Sequence, residues 1–350
     1  MSFSPFEHPF LSGLFGDAEI AALFSAEADV EAMLRFECAL AQAQAATGVI
    51  SEADAARIVK GIAAASIDYA ALRDGVAKDG VVIPELVRQL RAAVGGDAAA
   101  KVHFGATSQD VIDTSLMLRL KAAVFIIGTR LSSCISGLEN LTKRDGLKAL
   151  MGYTRMQAAI PMTVADRVAS WQQPLCRHET RLHVLLERGF ALQFGGAAGT
   201  LEKFDDKASA VRTELAKRLD LTDTTQWHSQ RDGIVEFGNL LSLVTGSLGK
   251  FGQDIALLAE VGGEIRLSGG GGSSAMPHKQ NPVVAETLVA LARFNAVQVS
   301  ALHQSMVHEQ ERSGAAWMLE WLVLPQMVAA TGSALMSAER LTKQIEALGN

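Results

Sequence analysis

From about residue 101 onward the chain contains five long segments with few helix-breaking residues, and these segments constrain its fold more than any other feature. Read as helices, they cover residues 108–143, 163–190, 232–264, 283–312 and 315–348. Helices of this length exceed the usual globular average, and a single helix cannot bury a long apolar stripe by itself. The sequence therefore predicts an all-α protein built on a long helical bundle.

A coiled coil is the rival explanation for long helices, but these apolar stripes are too wide and too rich in alanine for a strict two-position seam. Before residue 97 the helical stretches are shorter and fall at 29–45, 51–65 and 83–94. No segment shows sustained period-two alternation, so no sheet is required. We predict a small N-terminal helical domain over residues 1–100 and a long-helix bundle domain over 101–350.

The composition indicates a packed core and argues against nucleic acid as a partner. Hydrophobic residues make up 49% of the chain and charged residues 20%, which is enough for a sizeable core. The formal net charge is −6, and the sequence has no basic block. Because phosphate binding needs clustered lysine or arginine, we expect no nucleic-acid partner.

Several features indicate a cytoplasmic protein without a metal or a membrane span. The three cysteines are odd in number, lack metal-ligand spacing and suit a reducing cytosol. The start of the chain lacks the basic stretch of a secretory signal. The longest uncharged run, 321–338, contains Pro325 and Gly332 and predicts a buried bundle helix. The histidine pairs 178/183 and 303/308 are each five residues apart and thus point to different helix faces, which argues against a metal site.

The segment 268–282, SGGGGSSAMPHKQNP, carries the richest chemistry in the chain. Its four glycines suit a lid that closes over a substrate, although a flexible linker can have the same composition. Lys279 and Asn281 lie just before a predicted helix start, where a cation, amide donors and the helix dipole together favour an anion. A phosphate-binding loop is excluded, because Gln280 follows Lys279 and the required glycine is missing.

This segment resembles the third signature motif of the fumarase/aspartase superfamily. HFGATSQDVIDT, residues 103–114, and GYTRMQAAIPMT, residues 152–163, resemble the first and second motifs, in the same order and with matching separations. Two further stretches, WHSQRD at 227–232 and HEQERSGAAWMLEW at 308–321, resemble the bacterial 3-carboxy-cis,cis-muconate lactonizing branch more than the lyases.

The resemblance implies a fumarase/aspartase-like fold that works without a cofactor. It also implies a homotetramer in which three subunits build each active site. Many members carry a small helical C-terminal domain after the bundle. This chain stops at Asn350, the end of the fifth predicted long helix, so either that domain is missing or the sequence is a fragment of a longer protein.

The resemblance also assigns roles to individual residues. Ser273, the first serine of the third motif, would exchange a proton with the carbon next to a carboxylate. Lys279 and Asn281 would hold that carboxylate and stabilise the aci-carboxylate dianion. His103 is a second acid/base candidate, although a histidine beside a helix start can also be structural. The matching substrate-binding positions are Thr107, Ser108, Thr154 and Gln157.

One departure from the superfamily pattern bears on the reaction. The lyases and fumarase have a histidine after the threonine of the second motif, where this chain has Arg155. A carboxylate leaves without prior protonation because its pKa is about 4, so loss of an acid group there is tolerable in lactonization. Arg155 could instead clamp a carboxylate, or lie on the surface.

The resemblance therefore implies a cycloisomerase that interconverts 3-carboxy-cis,cis-muconate and 4-carboxymuconolactone. Because this substrate is a tricarboxylate, we expect further cationic side chains to bind its carboxylates. Arg312 is a candidate, unless it pairs with Glu309 or Glu311, and His228 is a weaker one. The alternatives are a C–N lyase of the adenylosuccinate lyase type and an inactive scaffold protein of the same fold.

Overall fold

The computed structural model describes residues 4–272, 276 and 280–350, and most of them are helical. In chain order the helices are α1 (Ser12–Phe15), α2 (Ala18–Leu23), α3 (Ala26–Ala46), α4 (Glu52–Ala63), α5 (Tyr69–Asp79), α6 (Ile83–Val94), α7 (Ser108–Asp145), α8 (Val164–Arg188), α9 (Ala208–Leu219), α10 (Asp232–Val261), α11 (Val283–Gln304) and α12 (Ala315–Gln344). The strands are β1 (Ala149–Thr154), β2 (Gln157–Thr163), β3 (Ile265–Leu267) and β4 (Ile345–Leu348). The predicted all-α class is confirmed.

Five long helices, α7, α8, α10, α11 and α12, form the bundle, and their directions alternate along the chain. We call the end where α7, α10 and α12 begin the head end, and the end where they finish the tail end. At the head end, Arg231 bonds both Asp113 of α7 and Glu320 of α12. At the tail end, the amide of Asn350 donates to Ala149 O, directly after α7. At 1.5 Å per residue, the 38 residues of α7 span about 57 Å between these ends.

Local capping explains where several helices begin. Thr107 precedes α7, and its backbone amide donates to Asp110 Oδ2 at 3.0 Å, so the predicted Thr-Ser start is confirmed. Ser51 accepts from the amide of Asp54 and caps α4, as predicted. Thr163 and Asp166 form a reciprocal capping box at the start of α8.

Two small antiparallel sheets, which the sequence did not indicate, lie at the tail end. β1 and β2 form a hairpin whose two turn residues, Arg155 and Met156, have φ angles of 48° and 65°. Two left-handed residues make a turn whose twist matches the strands, but Asn-Gly usually signals it, and that signal is missing here. β4 takes residues 345–348 out of the predicted fifth helix to pair with β3.

The fourth predicted helix, residues 283–312, was also too long. α11 ends at Gln304, and residues 305–312 form an irregular connection that leads into α12. The sequence 305–312 contains neither proline nor glycine, so local signals did not mark this end. The connection brings Arg312 to the start of α7 at the head end.

Two hydrophobic cores hold the fold together. The larger one runs along the bundle. The second joins apolar residues between 30 and 111 to apolar residues between 192 and 219, so that α9 packs on α3 beside the head end. α11 and α12 are long and apolar enough to cross a membrane by length and composition, but both pack in the bundle, and 61% of the most apolar stretch of α12 is buried.

Candidate active site

His103 lies in the loop before α7 and contacts a glutamate from the N-terminal part of the chain. Its Nδ1 is 2.6 Å from Oε1 of Glu37, which is buried in α3. His103 has a φ of 64°, a left-handed conformation that is uncommon outside glycine and costs free energy. The loop is also held by Gln44, whose amide donates to Phe104 O at 2.7 Å. Glu37 therefore fixes which ring nitrogen of His103 faces outward.

Glu37 also changes the protonation of His103. Burial lowers the pKa of the imidazole, but the charge and the hydrogen bond of Glu37, with a smaller contribution from Asp110, raise that pKa above its ordinary value overall. A histidine with a raised pKa stays protonated to a higher pH, so near neutral pH it is more often a cation and less often free to act as a base. Next to a polycarboxylate, such a group can hold a carboxylate or donate a proton.

Replacing Glu37 with glutamine tests this pairing through stability. A raised pKa contributes stability that is fully present below about pH 6.5, the ordinary histidine pKa, and is lost as pH rises through the raised value. We expect Glu37→Gln to lower the free energy of unfolding by about 2 kcal/mol near pH 6. The deficit should shrink toward pH 9.5 in denaturant titrations. A deficit that stays constant between these pH values would contradict the pairing.

A second group of candidates surrounds the first turn of α7. Thr107 and Ser108 are half-buried there. The fully buried Asp110 accepts from the amides of Gly195 and Gly196, each at 2.9 Å, and contacts His228 Nε2 at 2.9 Å. His228 is also buried, and its Nδ1 has no hydrogen-bond partner among the described residues. The contact makes Asp110 the residue that orients His228.

Arg312 joins the same group instead of pairing with its neighbours in sequence. Its Nε donates to Gln109 Oε1 at 2.9 Å, and its Nη2 donates to Ala197 O at 3.2 Å. Glu309 bonds Ser313 instead, which lowers the pKa of the Glu309 carboxyl. Within the described ranges Arg312 forms no ion pair. The expected alternative, a pair with Glu309 or Glu311, is therefore wrong.

The remaining described candidates lie at the tail end. Thr154 pairs with Gln157 across the hairpin turn, and Arg155 stands at the tip, all three exposed. Asn281 exchanges two backbone hydrogen bonds with Gly271, at 2.8 and 2.9 Å, just before α11. A Cβ added at Gly271 would lie 2.5 Å from Val283 Cγ2, so this close approach requires glycine. Ser273 and Lys279 lie outside the described residues.

One chain therefore keeps the candidates in two separate groups. The head-end group contains His103, Thr107, Ser108, His228 and Arg312. The tail-end group contains Thr154, Arg155, Gln157 and Asn281. α7 spans about 57 Å, and the chain from its end to Thr154 returns at most about 30 Å even when fully extended, so the hairpin tip lies more than about 20 Å from Thr107. One substrate cannot touch both groups of the same chain.

Three buried residues that contact the candidates were missed in the sequence. Glu37 lies 66 positions before His103, inside an apolar helix. A charged residue among apolar neighbours was the only sequence signal that it has a buried partner. Asp110 and Gln109 belong to the first motif but looked like ordinary residues of a helix start. Among the described residues, no group of three or more His, Cys, Asp or Glu side chains is arranged to hold a metal ion.

Residues 15–299 match the model of the Lyase family. The chain belongs to this family. The match confirms the fumarase/aspartase superfamily, which the three motifs indicated.

Two members of the lyase family illustrate how much of the chain is shared. The 3-carboxy-cis,cis-muconate cycloisomerase of Pseudomonas aeruginosa is 40% identical over 340 residues, which are 95% of this chain and 74% of that protein. The crystal structure of the 3-carboxy-cis,cis-muconate lactonizing enzyme from Pseudomonas putida matches with a TM-score of 0.90 at 36% identity, over 97% of this chain and 77% of that one. The chain thus spans about three quarters of their length.

Proposed function

We propose that this protein is a cytoplasmic cycloisomerase that interconverts 3-carboxy-cis,cis-muconate and 4-carboxymuconolactone. The observation that carries the proposal is the identity of 40% to a protein of that activity over nearly the whole chain. Arg155 supports it, because a cation at the tip of the hairpin suits a tricarboxylate and cannot serve as a neutral-pH acid for an amine leaving group.

The proposed reaction begins when one substrate carboxylate oxygen adds to a carbon of the neighbouring double bond. Electrons move onto a second carboxylate, which becomes an aci-form held by Lys279 and Asn281. Ser273 then delivers its proton to the α carbon and regains one from solvent, so the trianion becomes a dianionic lactone. Preorganised donors around the developing charge would supply most of the rate enhancement.

The head-end group would bind the remaining carboxylates of the substrate. Arg312 offers a guanidinium that is not neutralised by any described carboxylate. Protonated His103 would add a second cation, and the Thr107 and Ser108 hydroxyls and the Ser108 amide would add donors at the start of a helix. His228, aimed by Asp110, would complete this side of the site.

We further propose that active sites form between subunits of a homotetramer. The separation of the head-end and tail-end groups within one chain supports shared sites, because a complete set of binding groups then requires a tail end from another copy. Exposed apolar side chains along the bundle, such as Leu243, Val297 and Leu322, offer surface for helix packing between copies.

The direct test adds 3-carboxy-cis,cis-muconate and follows the loss of its conjugated-diene absorbance, with the lactone product identified by mass spectrometry. Adenylosuccinate serves as the competing substrate. Turnover of the muconate with no release of fumarate from adenylosuccinate supports the proposal. The opposite pattern would favour the C–N lyase, and no turnover of either would favour an inactive scaffold.

A further inference from the structure

Gln109 is a fully buried amide whose every hydrogen-bonding group has a partner. Its Nε2 donates to Asp113 Oδ2 at 3.1 Å and to the backbone oxygen of His228 at 2.9 Å. Its Oε1 accepts from Arg312 Nε at 2.9 Å. Because both partners of the nitrogen are pure acceptors and Arg312 is a pure donor, the amide has one permitted orientation.

The buried carboxylate of Asp113 sets that orientation, and it has no free lone pair to accept a further hydrogen bond. Asp113 accepts two hydrogen bonds from Arg231, at 2.6 and 3.1 Å, and one from Trp317 Nε1 at 3.0 Å. With Gln109 these make four donors, which fill the lone-pair sites of a carboxylate. Arg231 is itself fixed on its other side by Glu320, at 2.8 and 2.5 Å. Asp113 therefore holds Gln109 but does not capture Arg312.

Arg312 is therefore held in a fixed position, but its positive charge is not neutralised. Both of its described contacts go to neutral oxygens, the amide of Gln109 and the carbonyl of Ala197. A carboxylate in place of either acceptor would pair with the guanidinium and compete with an anionic ligand. A neutral amide between Asp113 and Arg312 thus keeps the two charges apart.

We infer that Gln109 is a positioning residue that holds Arg312 in place and leaves its charge available to a substrate carboxylate. The inference rests on the proposed function, in which Arg312 binds substrate. Gln109 acts through Arg312 and does not itself touch the reacting atoms. Asp113, Arg231 and Trp317 form the rigid support behind it.

The test is a double-mutant cycle with Gln109→Met, which keeps the length of the side chain but removes its hydrogen bonds. We expect Gln109→Met to raise KM about tenfold while kcat changes less than about threefold, since substrate binding is lost more than chemistry. In an Arg312→Ala background the same change should alter KM less than about twofold, because the group that Gln109 positions is gone. An equal effect in both backgrounds would overturn the inference.

Asn295→Leu is the matched control, because Asn295 is also a fully buried amide, with donors to Thr331 and Met327 in the middle of the bundle. It should lower thermal stability as Gln109→Met does but leave KM unchanged. A rise in KM equal to that of Gln109→Met would mean that loss of any buried amide has this effect, and the inference would fall.

A crystal structure of Gln109→Met separates this inference from the proposed function. Arg312 Nη2 should leave Ala197 O, whatever substrate the enzyme uses. If Arg312 keeps that contact without Gln109, the positioning role is refuted even if the wild type turns over the muconate. If the wild type shows no turnover but Arg312 moves, the proposed function fails while the positioning role stands.

Discussion

Replacing Ser273 with alanine is expected to reduce kcat on 3-carboxy-cis,cis-muconate by about a thousandfold, which is typical for loss of a positioned acid or base. The proton must reach carbon, and carbon accepts it slowly from water. Without the hydroxyl, the aci-carboxylate would still form but would revert before solvent could protonate it. KM should change little, because Ser273 is assigned to proton transfer and not to holding the carboxylates.

Ser274→Ala is the matched control for this prediction, since it makes the same change one residue further along the same glycine-rich segment. It should lower kcat less than about tenfold. Product analysis in heavy water adds a second readout, because the residual reaction of Ser273→Ala should lose any preference for one face of the carbon. Near-normal turnover by Ser273→Ala would refute its role as the proton donor.

The parts of the fold that the sequence predicts well are those set by local chemistry. The start of α7 at Ser108 and the extent of α6, residues 83–94, follow from a capping threonine and from an apolar stripe with Pro84 in the first turn. The parts that the sequence did not predict depend on contacts with residues far away in the chain. β4 is helical by its own composition and becomes a strand because β3, about eighty positions earlier, pairs with it.

The site shows the same division between local and distant information. The type and order of residues in the three motif segments were enough to propose Thr107, Arg155 and Asn281 as site residues. The partner of His103 could not be predicted, since Glu37 reaches it through the packing of a separate helix. For Arg312 the sequence left open a pair with Glu309 or Glu311, but in the structure its side chain bonds Gln109, 203 positions away.

The separation of the two groups of candidates makes a prediction for mixed subunits. Arg312→Ala removes a head-end cation and Arg155→Ala removes a tail-end cation, and each should lower kcat/KM about a hundredfold or more. If every site takes its head-end group from one chain and its tail-end group from another, co-expressed variants should regain activity. Random assembly leaves about a quarter of the sites with both cations intact.

The control for this experiment pairs two variants with defects in the same group. Arg312→Ala and His103→Ala both change the head end of one chain, so every site in a mixed tetramer inherits one defect, and activity should stay at the level of the parents. Recovery of about a quarter of wild-type activity in the first pair and none in the second is explained by sites shared between chains. Equal behaviour of the two pairs would mean that each chain carries a whole site, and the separation of more than about 20 Å between Thr107 and the hairpin tip would then have to close within one subunit.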